Sequence, residues 1–346
     1  MSLFDMFDGA ARKQQKLNAK YFEAVSKGHW GEAKRQLEDG AQLDATGKDG
    51  HTALMLAVFH GQPALIKRLA DEGIEKEARN NDGASALSIA AELGYIDSLK
   101  ALHAVGAKVD VTDNNGYTPL LHASADQQAA AARFLVSVGA DAAPRDSGKK
   151  TALMHAVENG DTDMVAIILG AKDAALNARG PENKTALAMA GEEGHDDIVK
   201  LLLAAGAEVD TLDDSGMTPF LRAAYEGQTA IMKQFYAAGA ELETVDGDGD
   251  TPLTSAVKGE HFDTVKTLLD WGAELKTRNS DEETALDIAD AQENGIAELI
   301  RAEQKRRDRY GGVTAKREKP VPAPEQTDQP TDTPASFVPP KKTFRP

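Results

Sequence analysis

The sequence contains no cysteine among its 346 residues. Disulfides, Cys-ligated zinc or iron–sulfur centres and thiol catalysis are therefore excluded together. Aromatic residues make up only 5% of the chain, thin for one large core, although apolar residues reach 41%. No apolar run approaches the roughly 18 residues that a transmembrane helix requires. Residues 1–8 offer neither a basic segment nor an apolar core, so no export signal is expected there and the cytoplasm is the default location, with a secreted effector as the alternative. Basic residues are in deficit, 39 against 56 acidic, for a net charge of −17. Phosphate binding needs clustered Lys and Arg, so nucleic acid is not expected as a partner of the folded part. The deficit is uneven: residues 1–300 hold 28 basic and 50 acidic residues, whereas residues 301–346 hold 11 and 6. An acidic body of −22 thus precedes a basic end of +5.

What is present is a repeat. A hydroxyl residue followed by Ala or Pro and then an apolar residue recurs eight times, at Thr52, Ser85, Thr118, Thr151, Thr185, Thr218, Thr251 and Thr284. The spacing is 33 except from Thr151 to Thr185, where it is 34. Five residues after each hydroxyl stands an alanine: Ala57, Ala90, Ala123, Ala156, Ala190, Ala223, Ala256 and Ala289. Nine after it a glycine is usual (Gly61, Gly94, Gly160, Gly194, Gly227), and twenty-one after it another (Gly73, Gly106, Gly139, Gly206, Gly239, Gly272).

Each column has a physical reading. Thr or Ser caps a helix, and Pro at the next position loses only an N–H that would be unpaired there. The alanine lets a second helix approach closely. The first glycine ends the first helix in the left-handed conformation that glycine enters cheaply. A second apolar-periodic stretch follows, such as Ile198-Val199 with Leu202, and the second glycine ends it. About eleven polar residues rich in Asp, Asn and Gly complete the unit, as in Asp110-Val111-Thr112-Asp113-Asn114-Asn115-Gly116. Each unit reads as helix, turn, helix, extended loop.

This pattern resembles the ankyrin repeat family, whose unit has this length and a T-P-L-H-x-A signature. The stretch Gly194-His195-Asp196-Asp197-Ile198-Val199-Lys200-Leu201-Leu202-Leu203-Ala204-Ala205-Gly206-Ala207 is close to the family's second helix. Lys27-Gly28 and Asp39-Gly40-Ala41 lie 33 before the first full set and mark an extra unit. The resemblance implies an all-α solenoid of about nine helix-turn-helix units over residues 17–308. Residues 1–16 are expected as an extension whose Leu3, Phe4, Met6 and Phe7 fold back as a cap. Residues 309–346 hold 8 of the 14 prolines and read as a disordered basic tail. That tail is either a solubilising segment or a docking motif around Phe337 and Phe344, with contact to the chain's own groove as a further expectation.

The sequence departs from the family in places. The signature His is absent; its column reads Met55, Ser88, Leu121, Met154, Ala188, Leu221, Thr254 and Asp287, so its bonds to the neighbouring turn are expected to be missing. Gly170-Ala171-Lys172-Asp173-Ala174 carries the one-residue insertion, and Gln127-Gln128 and Glu282 stand where glycine is usual. These are expected weak points.

Signals for chemistry are poor. There is no H-E-x-x-H, G-x-S-x-G, G-x-G-x-x-G or complete Walker loop. Ser147-Gly148-Lys149-Lys150 resembles the end of a phosphate loop, but Ala143 stands where its first glycine belongs. Asp246-Gly247-Asp248-Gly249-Asp250 starts like a calcium loop, but Thr251 and Val257 occupy its glycine and glutamate positions. His122 and His155 share one column and read as packing residues, with a metal bridge as the alternative; Trp30 and Trp271 read as packing. No cofactor, no metal site and no catalysis are expected, since groups do not converge on one point.

The resemblance also implies where a partner sits: on the loop tips and the exposed face of each first helix. In the columns four, three and one before the hydroxyl and seven and eight after it, 14 of 40 positions are acidic and 4 basic. The expected binding residues are Phe59, Glu92, Tyr117, Asp126, Glu158, Glu192, Glu193, Met217, Tyr225 and Glu226. The expected function is a non-catalytic, monomeric scaffold or adaptor that binds a protein, with a basic segment as the ligand. The alternative is a regulatory subunit or inhibitor of a partner enzyme. The alanine column yields a first test: Ala190→Leu should cost roughly 1–3 kcal/mol by overpacking, and an unchanged denaturation midpoint would disprove the close helix approach assigned to that column.

Overall fold

The structure, a computed structural model, describes residues 3–292 and 294–309, with side chains from residue 10 onward. Nine helix pairs follow one another. They are α1 (Leu3–Ser26) and α2 (Trp30–Glu38), α3 (Ala53–Phe59) and α4 (Pro63–Asp71), α5 (Ala86–Glu92) and α6 (Ile96–Ala104), α7 (Pro119–Ala125) and α8 (Ala129–Ser137), and α9 (Ala152–Glu158) and α10 (Thr162–Leu169). The row continues with α11 (Ala186–Glu192) and α12 (Asp196–Ala204), α13 (Pro219–Tyr225) and α14 (Thr229–Ala237), α15 (Pro252–Lys258) and α16 (Phe262–Trp271), and α17 (Ala285–Asp290) and α18 (Ile296–Arg309). No strand occurs among the described residues. The expected all-α row of about nine helix-turn-helix units is what the chain adopts.

The start of each odd-numbered helix from α3 onward is set by the hydroxyl column. Thr52, Ser85, Thr118, Thr151, Thr185, Thr218, Thr251 and Thr284 each accept a hydrogen bond from the backbone N–H three residues on. An N-cap of this kind is worth about 1 kcal/mol. Pro119, Pro219 and Pro252 occupy the first helical position, where no N–H is needed. The helices end two residues before the glycine column, and the left-handed conformation persists where glycine is lacking: Gln127 has φ 56° and Glu260 φ 60°.

The odd-numbered helices form an inner row and the even-numbered an outer row. All eight alanines of the repeat column are fully buried. Over most of the row, neighbouring inner helices lie closer together than neighbouring outer ones, so the row bends with the inner helices on its hollow side. One continuous apolar core runs from Tyr21 to Ile300. Each unit meets only its neighbours, which makes stability a sum of local terms.

The loops join in register through single backbone bonds: Asn81 N donates to Asp49 O, Asn114 N to Asp82 O, Ser147 N to Asn115 O, Asp214 N to Glu182 O, Gly247 N to Ser215 O and Ser280 N to Asp248 O. The rung between the fourth and fifth signature units is absent because the donor position is Pro181, which has no N–H. The Arg145 guanidinium spans this gap to the Arg179 carbonyl at 2.6 Å. The one-residue insertion is taken up just before it, where Ala175 has φ 50°.

At the start of the row, α1 is one helix through position 17, three times as long as the seven-residue α3. Gln14 Nε2 donates to Gly40 O at 2.9 Å, and Asn18 Oδ1 accepts from Gln42 N at 3.0 Å, tying α1 to the loop of its own unit. The side chains of Leu3, Phe4, Met6 and Phe7 lie outside the described residues, as does the expected tail from 310 onward. At Gln127 an L side chain is held in the left-handed region, which costs roughly 1–2 kcal/mol. Gln127→Gly should therefore raise the stability of the fold by up to about 1 kcal/mol after glycine's greater unfolded-state entropy is subtracted. A denaturation midpoint that falls would contradict this assignment.

Candidate protein-binding face

The hollow side is lined by the inner helices and the loops that precede them. In six of the eight signature units the loop is held by an Asp or Asn side chain five residues before the hydroxyl; Gly47 and Gly180 stand there in the other two. Asp113 Oδ1 accepts from Asn115 N and Tyr117 N, both at 2.8 Å. Asp213 Oδ1 accepts from Ser215 N at 2.8 Å and Met217 N at 3.0 Å, and Asp246 Oδ1 from Asp248 N and Asp250 N at 2.9 Å. Asn80 and Asn279 hold their turns in the same way.

In three units the second carboxylate oxygen meets a base on the inner helix. His122 Nε2 lies 3.1 Å from Asp113 Oδ2, His155 Nε2 lies 2.7 Å from Asp146 Oδ2, and Arg222 pairs with Asp213. These bases stand one position after the column where the family signature has His. The expected loss of the loop-to-helix bond is thus made good in these units by a neighbouring side chain. It also revises the reading of His122 and His155 as packing residues: both are loop anchors, and His155 is buried. Among the described residues no three His, Asp or Glu side chains are grouped to hold a metal ion. The calcium-like stretch is the Asx turn of Asp246, with Asp250 occupied by Lys258 and Asn279.

Tyr117 lies against both histidines, with ring centroids 5.0 Å from His122 and 5.6 Å from His155. Burial and the neighbouring Asp146 push its hydroxyl up to about 12. Burial alone would raise the Asp146 carboxyl. The Lys150 backbone N–H, His155 and Tyr117 outweigh it and hold that carboxyl below the usual carboxylate range. Asp213 is lowered in the same sense, with Arg222 and the Met217 N–H prevailing over burial.

The expected binding residues divide into three groups. Glu158 and Glu192 are engaged within the fold: Lys150 Nζ reaches Glu158 at 2.6 Å, Lys184 Nζ reaches Glu192 at 2.9 Å, and Arg222 Nη1 lies 3.4 Å from Glu192. Glu92, Asp126, Glu193 and Glu226 are exposed and, among the described residues, make no ion pair. Each stands at the C-terminal end of an inner helix, α5, α7, α11 and α13 respectively, as its last residue or C-cap. Of the apolar residues, Phe59 and Tyr225 are exposed, while Tyr117 and Met217 are half-buried in the loops. All ten lie on the loops or inner-helix ends where they were expected, but the sequence did not reveal which carboxylates were already paired. Lys150 and Lys184, each eight residues ahead of its glutamate, were the available signal.

Sequence-family comparison agrees with this architecture. Models described as ankyrin repeats match residues 22–113, 87–180 and 220–308, and a further ankyrin-repeat model matches residues 186–235. The chain belongs to the ankyrin repeat family. Among solved structures it is similar to the ankyrin repeat domain of Bcl-3, described as a unique member of the IkappaB protein family, at 26% identity and a TM-score of 0.54. That likeness covers 58% of this chain and 92% of the Bcl-3 domain. No curated protein matches the chain. Ankyrin repeats are generally protein–protein interaction modules and are typically not enzymes. No helix among the described residues is long and apolar enough to cross a membrane.

Asp146→Asn provides a test of the anchored loop. Asparagine retains the acceptor for the Lys150 N–H but loses the charge that faces His155. A carboxyl held below its ordinary range stabilises the fold above that range, and the contribution is lost as pH falls through the lowered value. The variant should be less stable by roughly 1–3 kcal/mol at neutral pH, and the difference should close below pH about 4. A gap in the melting midpoint that stays constant from pH 7 to pH 3 would exclude the charged anchor.

Proposed function

We propose that this ankyrin-repeat protein is a non-catalytic scaffold or adaptor whose hollow face captures a basic segment of a partner protein. The observation that carries the reading is the row of unpaired carboxylates Glu92, Asp126, Glu193 and Glu226 at the C-terminal ends of four inner helices. The carbonyl end of a helix is itself negative, so an acidic side chain there costs about 0.3–1 kcal/mol. These four residues weaken the fold slightly and, among the described residues, meet no cation. Lys or Arg of a partner would relieve the repulsion, and complementary charge would also speed encounter and fix orientation. Tyr225, exposed beside Glu226, supplies an aromatic contact of the type that anchors interfaces.

Charge reversal separates binding from folding. The quadruple variant Glu92→Lys, Asp126→Lys, Glu193→Lys and Glu226→Lys should bind a labelled arginine-rich peptide about tenfold or more weakly. Its melting midpoint should be unchanged or raised. Reversal of Glu158 and Glu192 should instead lower stability, because Lys150, Lys184 and Arg222 lose their partners. Peptide affinity that the quadruple variant leaves intact would reject the acidic face as the binding surface.

A further inference from the structure

Among the described residues seven large apolar side chains are exposed, and five of them fall in two groups along the edge where inner helices turn into outer ones. One group is Phe59 (37% exposed), Leu93 (37%) and Tyr95 (40%); the other is Tyr225 (45%) and Phe262 (44%). The residue ten after the hydroxyl closes this edge in five of the eight units, through Gln62, Gln128, His195, Gln228 and His261; Asp161 instead caps α10 and Asn294 bonds within its own turn. Gln62 Nε2 donates to Ser26 O at 3.0 Å, and His261 Nε2 lies 2.8 Å from Tyr225 O. Tyr95 occupies the same position in its own unit, is exposed, and leaves the edge of the preceding unit open. A Cβ built on Gly61 meets nothing within 4 Å, whereas at Gly94, Gly160, Gly194 and Gly227 it meets Gln128, His195, Gln228 and His261 of the following unit. The edge at Gly61 is therefore uncovered, with exposed Phe59 two residues before it and exposed Tyr95 in the following unit, at one end of the acidic row; Tyr225 and Phe262, exposed in consecutive units, stand at the other.

Resting on the proposed function, we infer that these two apolar edges bracket the acidic row and select the ligand: an extended basic segment with a bulky apolar residue near each end. Four unit steps separate Tyr95 from Tyr225, which at 8–10 Å per helix step is roughly 32–40 Å. An extended chain advances about 3.3 Å per residue, so about 10–12 residues span the gap. Glu92, Asp126, Glu193 and Glu226 lie along that interval and supply the complementary charge. A helix of the same residue number would reach less than half of it.

Three labelled peptides of twelve residues test this. The first has Phe at both ends and arginines between them, the second has the same composition with both Phe at its centre, and the third has Ser at the ends. Fluorescence anisotropy with the full chain should give the Phe-ended peptide at least a tenfold tighter Kd than either of the others. Tyr95→Ser and Phe262→Ser, each at an exposed site, should remove most of that advantage without changing the melting midpoint or the affinity for the Ser-ended peptide. Equal binding of all three peptides, with loss on charge reversal of the acidic row, overturns the apolar bracket and leaves the acidic face standing. Absence of binding by all three overturns both.

Discussion

The structure depends on the close approach of neighbouring inner helices. A seven-residue helix is too short to persist alone in water, and a single helix pair has no second surface on which to bury its apolar side. What stabilises the row is the contact between one pair and the next. That contact requires a residue no larger than alanine at the centre of each inner helix from α3 onward, and all eight such positions are buried without remainder. The hydroxyl caps, the left-handed turns and the Asx loops serve to present that small residue at the same height in each unit. They are local devices in the service of a lateral contact.

The same constraint explains the binding surface. Because small residues draw the inner helices together while larger side chains such as Phe235 and Trp271 occupy the outer layer, the row curves toward the inner side. The loop tips and the last turns of the inner helices then face one hollow. No enclosed cavity is needed for recognition, since residues from successive units follow one another along a line. A ligand that reads this surface must be long rather than compact. The chain's acidic character becomes meaningful only when sorted by position, with Asp113, Asp146 and Asp213 spent on loop anchors and Glu158 and Glu192 on internal pairs.

Much of this was legible in the residues. The period, the caps, the alanine column and the turn glycines each follow from one position and one physical rule, so the fold could be read unit by unit. The inner-helix bases were less legible. His122 and His155 read as packing residues and Arg222 shares their column, and only the loop geometry brings each within reach of an aspartate nine residues earlier. Pairing across nine residues through a turn and a cap leaves no periodic trace. The paired state of Glu158 and Glu192 left one trace, a lysine eight residues before each. The absent loop rung at Pro181 could have been found, because an N–H that must donate to the previous loop cannot come from proline.

Departures from the repeat are of two kinds, and the distinction has functional weight. At Gln127 and Glu260 the backbone keeps the conformation that glycine would adopt, so the departure costs energy and changes nothing outside the turn. At Tyr95 the backbone is regular, yet the side chain fails to close the edge that Gln62, Gln128, His195, Gln228 and His261 close elsewhere. Tyr95 gives up the edge-closing bond of its column and leaves 40% of its surface in water. The four carboxylates at helix C-termini likewise make no ion pair among the described residues. Both features gather on one edge of one face, where a bound segment would supply the missing apolar contact and the missing cations together.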